Sequence, residues 1–167
     1  MYHAEEGVLE QLDSIQEWFI QEVGVNALDA LQGFNLAPLS TRRDIAMLGI
    51  LQKVSWKTAP AQLCSLFELE VISGGKHDRR MKPFRSGAGD DWGPLRRSIF
   101  GLVDVWNALP QTAVNLASVS EFQSVLQAGV KRAAGNFPDE RWKRLLSPRD
   151  CLMTCPAEGQ DPQCFFV

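Results

Sequence analysis

The chain has 167 residues, 17 Lys and Arg against 20 Asp and Glu, and a hydrophobic fraction of 45 %. That is enough for one globular domain of roughly 100–200 residues, and it excludes a collagenous, coiled-coil or wholly disordered chain. No apolar run approaches the roughly 18–20 residues of a membrane span. The first ten residues hold Glu5, Glu6 and Glu10 and no Lys or Arg, so neither a secretory signal nor a transit peptide is expected, and an intracellular location is.

The net charge of −3 hides three zones. Residues 1–40 carry seven acids and no bases, residues 41–97 eleven bases and six acids, and residues 98–167 six bases and seven acids. An acidic whole is therefore compatible with a local basic surface in the middle zone.

Val8, Leu12, Ile15, Phe19 and Val23 recur at steps of four, three, four and four. This is one apolar stripe of a helix. Acids crowd its start, where the helix dipole favours them. Gly24 marks the C-terminal cap region, and Asn26 starts a short second helix to about Leu31. Residues 33–38 form a connection. Thr41 and Asp44 have capping-box spacing, which predicts a helix from there to about Trp56. Its residues 45–51 are apolar on every side, so it is buried in something larger than itself or takes a protein partner. Pro60 opens another helix with Leu63, Leu66 and Phe67 facing inward.

Residues 73–94 hold five of the thirteen glycines together with Lys76, Arg79, Arg80, Lys82 and Arg85. They are expected to form one long basic loop. Residues 99–106 are apolar enough for a strand or a buried helix, and periodicity does not choose. Ser118 and Glu121 match a capping box, with Phe122, Val125, Leu126, Val130 and Ala133 on the inner face of the helix that follows. Pro138 starts a last short helix carrying Trp142, Leu145 and Leu146. Residues 147–167, rich in Pro and Cys, are expected to be a disordered tail. The fold class is thus mainly α: a small irregular helical domain over residues 8–146, with a long basic loop and a disordered C-terminal tail.

Little in the sequence speaks for catalysis. Cys151, Cys155 and Cys164 cluster near the end without a histidine, and His3 and His77 lie far off in sequence, so no zinc site is expected. Cys164-Phe165-Phe166-Val167 has the outline of a prenylation box, but valine is an atypical last residue and no polybasic run precedes it. A phosphate-binding loop and a serine nucleophile elbow are missing. Asp90-Asp91 sits in the glycine-rich stretch, where a solvated turn is the expected role. No cofactor and no metal are expected.

Several segments follow one another in an order that carries information. Asn35-Leu36-Ala37-Pro38-Leu39-Ser40-Thr41-Arg42-Arg43-Asp44 leads into the apolar helix. Ala59-Pro60 precedes Leu63, Leu66 and Phe67. Arg97-Ser98-x-Phe100, Trp106-Asn107-x-Leu109-Pro110 and Ser120-Glu121-Phe122-Gln123-x-x-Leu126 follow. This series, with Leu12-Asp13-x-Ile15-Gln16-x-x-Phe19 ahead of it, resembles the region downstream of the polymerase core in non-LTR retrotransposon reverse transcriptases. The resemblance covers about residues 8–134. The family's catalytic strand, aromatic-x-Asp-Asp, is missing from the sequence, and the tail after about Lys131 has no counterpart.

The resemblance implies a non-catalytic segment that supports the polymerase thumb and contacts template or product RNA or DNA. It points to Arg42 and Arg43, Arg96 and Arg97 as phosphate contacts and to Trp106 as a base-stacking residue. The residues by themselves admit other roles. The arginines at the helix start suit ion pairs with Asp44 or with the acidic first helix, and Trp106 suits a core position with its N–H bonded. Asn107 reads as a cap or turn residue. A stand-alone protein-interaction module or a relic of such an element is the competing expectation.

Overall fold

A computed structural model describes residues 6–70, 78–83, 98–137, 140–147 and 165–166. The described chain is mainly helical. Helix α1 spans Glu6–Glu22 and α2 Ala27–Phe34. Gly24 turns the chain between them at φ +72°, a conformation glycine adopts without a Cβ penalty. Asn26 then caps α2, its side chain accepting from Asp29 N at 2.7 Å.

Helix α3 runs Leu39–Ser55, two residues earlier than Thr41 would start it. Pro38 occupies the N-cap, so the Thr41–Asp44 capping box does not form, and Thr41 lies buried inside the helix. The chain then passes through the short α4, Ala61–Cys64. It continues into β1, Leu69–Glu70, paired antiparallel with β2, Arg80–Met81; Leu69 faces Met81 and Glu70 faces Arg80. The expected continuous loop over 73–94 is thus broken by a strand. The apolar stretch after Ser98 resolves as helix: α5 is Val103–Ala108, followed by α6, Gln111–Val114. Helix α7, Val119–Asn136, begins where its cap predicts, with Ser118 accepting from Glu121 N at 3.3 Å. A 3-10 turn over Glu140–Arg144 closes the main body.

The core lies between α3 and α7, with α5, α6 and the 3-10 turn packed around them. Leu48 and Leu51 of α3 share one buried apolar cluster with Phe122, Leu126 and Val130 of α7, and the rings of Trp106 and Phe122 lie 5.6 Å apart at 48°. A Cβ at Gly49 would meet the side-chain amide of Gln123 on α7, which would have to shift to admit it. The apolar segment 45–51 therefore finds its neighbour within the chain, and the expectation that it takes a separate protein partner is corrected. Gln52 is fully buried in the same layer, and its amide nitrogen donates to the carbonyls of Val114 and Leu116.

Two residues of the expected tail belong to this core. Phe165 and Phe166 are buried. Phe166 fills the space beside Gly129, Phe165 meets Phe137 edge-on, and Arg132 donates to the Phe165 carbonyl at 2.7 Å. Disorder is thus no description of positions 165–166.

Candidate interaction surface

Helix α1 sits on the body with its apolar stripe turned to water. At 3.6 residues per turn, Val8, Leu12, Ile15 and Phe19 fall within an arc of about 60°, and Val23, which donates its N–H to the Phe19 carbonyl, widens it to about 80°. These residues and Trp18 are between 40 % (Leu12) and 61 % (Trp18) exposed. The body instead receives the side of α1 that carries Ile20, Asp13 and Gln16. Ile20 is buried, Gln16 donates to the Ala37 carbonyl at 3.0 Å, and Asp13 pairs with Arg43 of α3 at 2.7 Å. Polar contacts to α3 and its lead-in fix the roll of α1, and the stripe is left uncovered.

Each of the six side chains is at least 40 % exposed, and a run of large apolar side chains open to water marks an interaction surface. Leu28 and Phe34 of α2 are also exposed. Glu10, Asp13 and Glu17 project from the opposite side of α1 by helical periodicity, so the stripe is not edged by charge until Glu22.

The predicted nucleic-acid contacts are not brought together. Arg42 is exposed at the start of α3, with no ion pair among the described residues. Arg43 is committed to Asp13, the pairing with the acidic first helix that the sequence offered. Arg96 and Arg97 lie outside the described residues. Trp106 is fully buried and donates its indole N–H to the Arg79 carbonyl at 3.0 Å; it presents no face on which a base could stack.

Trp106 and Asn107 form a clamp on β2. The Asn107 side chain accepts from Met81 N at 2.9 Å and donates to the Met81 carbonyl at 2.8 Å. Asn107 is therefore neither cap nor turn: it lies inside α5 and completes the hydrogen bonding of a buried strand residue. Arg79, next to the strand, stacks over Trp56 with its guanidinium carbon 3.8 Å from the ring centroid. No local pattern announces these partners, because each is more than twenty residues away in sequence.

Asp44 lies beside the α1–α3 seam. Burial pushes its carboxyl up to about 7; Arg43 acts in the opposite sense and Asp13 adds to the rise. A cleft of about 440 Å³ is lined by Val54, Lys57, Ala59, Ala61, Cys64, Phe67 and Leu69. The Cys64 thiol there donates to the Ala59 carbonyl at 3.4 Å. Among the described residues no three His, Cys, Asp or Glu side chains are grouped to hold a metal ion, and no helix is long and apolar enough to cross a membrane.

Comparison with family models, with curated proteins and with solved structures returns no match.

Proposed function

We propose that the chain is a non-catalytic helical docking module of retrotransposon reverse-transcriptase descent, and that the apolar face of α1 is the surface it docks with. The exposed stripe of α1 carries this reading. A row of large apolar side chains kept in water costs the folded protein free energy of hydration, and covering it by another protein recovers that free energy. The descent is supported by the order of the sequence segments and by their extent: helices α1 to α7 occupy residues 6–136, close to the span of the resemblance.

The reading requires the stripe to be surface and not core. In the double variant Ile15→Glu/Phe19→Glu we expect a cooperative melt within about 4 °C of the parent, because substitutions at exposed sites change stability by about 0.5 kcal/mol or less each. We also expect a higher solubility limit. Collapse of the melt in this variant would place the stripe in the chain's own core and end the docking reading.

Contact with nucleic acid is a second reading, favoured by one observation: Arg42 is exposed at the head of α3 and unpaired among the described residues. Its planar, permanently charged guanidinium suits phosphate. In a salt series with a single-stranded oligonucleotide, Arg42→Ala is expected to flatten the log–log slope by about 0.7. Arg43→Ala is expected to change the slope little, since Arg43 serves Asp13. Absence of binding at low salt, or a slope that both substitutions together leave unchanged, removes this reading.

A further inference from the structure

We infer that the cleft at the C-terminal end of α3 binds a small apolar acid, whose negative charge is met by Lys57. The inference is independent of the α1 face and of nucleic acid. It follows from the backbone at Lys57, the chemistry of the cleft walls and the size of the cleft.

Lys57 stands where the chain closes α3. Trp56 is the C-cap, and the next two N–H groups turn back onto the helix. Lys57 N–H donates to the Val54 carbonyl at 3.0 Å, and Thr58 N–H donates to the Lys53 carbonyl at 2.8 Å. This double closure needs a left-handed residue directly after the cap, and glycine is the usual one because it has no Cβ to strain. Here the position holds a lysine at φ +55°. The chain thus carries a conformational cost that glycine would avoid, and strain of this kind gathers at ligand sites. The helix dipole does not require the lysine, since Lys53 already stands in the last turn. Nor does it serve an ion pair: Lys57 is exposed and has no partner among the described residues. Its side chain lines the cleft instead.

The cleft has a volume of about 440 Å³, within the roughly 300–1,000 Å³ of small-molecule sites. Val54, Phe67 and Leu69 bring apolar side chains to it from α3, from the turn after α4 and from β1. Phe67 is held by stacking on Phe100, with ring centroids 5.2 Å apart. The Cys64 thiol spends its hydrogen on the Ala59 carbonyl. Among the described lining residues Lys57 is the one charged group.

Nothing described nearby neutralises that charge. Glu68 is taken by Lys82 at 3.1 Å, and Glu70 lies on the opposite face of β1 from Leu69 by strand alternation. The carbonyls of Gln52, Lys53 and Val54 each accept from a following N–H, those of Trp56, Thr58 and Lys57. An apolar hollow with a single cation at its edge is complementary to an apolar body that bears a single negative charge.

An amide NMR titration of the isotope-labelled whole chain with octanoate tests this. Saturable shifts are expected at Ala59, Ala61, Cys64 and Leu69, with a Kd of about 1 mM, the affinity of a ligand of about ten non-hydrogen atoms. Octanol, the same body without the charge, should bind about fivefold more weakly, and octylammonium more weakly still. Lys57→Gly should weaken octanoate to the level of octanol and yet melt no lower than the parent, because glycine relaxes the left-handed position. A lysine kept for the fold alone gives the reverse, a lower melt and unchanged binding.

Absence of saturable shifts up to about 10 mM octanoate overturns the inference. So do shifts that fall on Val8, Leu12, Ile15 and Phe19 in place of the cleft, which report adsorption to α1. Octanol that binds as tightly as octanoate overturns it as well, and so does a Lys57→Gly variant that binds like the parent or melts below it. None of these outcomes touches the docking reading, which stands or falls on the melt of the Ile15→Glu/Phe19→Glu variant.

Discussion

Asn107→Ala is expected to lower stability by about 2–4 kcal/mol, because it strips both hydrogen bonds from a buried strand residue. Met81 is fully buried, and its N–H and carbonyl are both satisfied by the Asn107 side chain. Truncation leaves a donor and an acceptor without partners in an apolar setting, at about 1–3 kcal/mol for each group. At roughly 2–4 °C per kcal/mol for a chain of this size, the melting temperature should fall by about 4–16 °C. Asn107→Asp is expected to be no milder. It keeps an acceptor for Met81 N but sets an oxygen against the Met81 carbonyl and buries a charge. A thermal melt of the two variants decides the matter, and a loss below about 1 kcal/mol for Asn107→Ala would show that β2 is held by other means. The Trp-Asn segment, which the family resemblance offered as a place for base stacking, is in this structure the fastener of a two-strand ribbon.

The second large effect concerns pH. Asp44 has its carboxyl raised by burial to about 7, against 3.8 for the free group, with Asp13 adding to the rise and Arg43 opposing it. Below about pH 4 the group is protonated in the folded and the unfolded chain alike. Between about 4 and 7 the folded protein keeps a proton that the unfolded chain has released, so stability falls as pH rises through this window. Above about 7 the folded protein carries the charge and the full cost of its burial. Asp44→Asn, neutral at every pH, should therefore match the parent near pH 4 and exceed its stability at pH 8. We expect a difference of about 2 kcal/mol, below the value of about 1.4 kcal/mol per pH unit over the whole shift, because the side chain is only half-buried. Urea midpoints of both proteins at pH 4.5, 6 and 8 measure it. The Asp13–Arg43 pair is common to both proteins, so its own pH response largely cancels in the comparison. A gap that does not widen with pH would place the Asp44 carboxylate in water.

What the sequence made legible is what local chemistry decides. Ser118 and Asn26 cap the helices they precede, and Gly24 turns the chain after α1, because each acts on backbone groups within three residues. The apolar segment 45–51 was readable as buried for a similar reason: no face of it suits water. The capping box at Thr41 failed because Pro38, three residues upstream, already supplies a start for α3. The two strands escaped notice because two residues each are too few to show alternation.

The α1 surface shows the limit most clearly. Periodicity identified the stripe but not the side on which the body lies. That side was chosen by Asp13 and Gln16, which find Arg43 and the Ala37 carbonyl across the seam. Their partners are 21 to 30 residues away, and nothing local encodes them. Of the five site residues drawn from the resemblance, Trp106 is interior and Arg43 is paired within the chain, which leaves Arg42 as the described cation open to a ligand.

Phe165 and Phe166 have a consequence for the order in which the protein matures on the ribosome. Helix α7 is synthesised some thirty residues before the two rings that cover Gly129 and Phe137. At roughly 5–20 residues per second the two rings are added a few seconds after α7 itself. A chain that stops short of them keeps α7 but leaves the slot beside Gly129 and Phe137 without its plug.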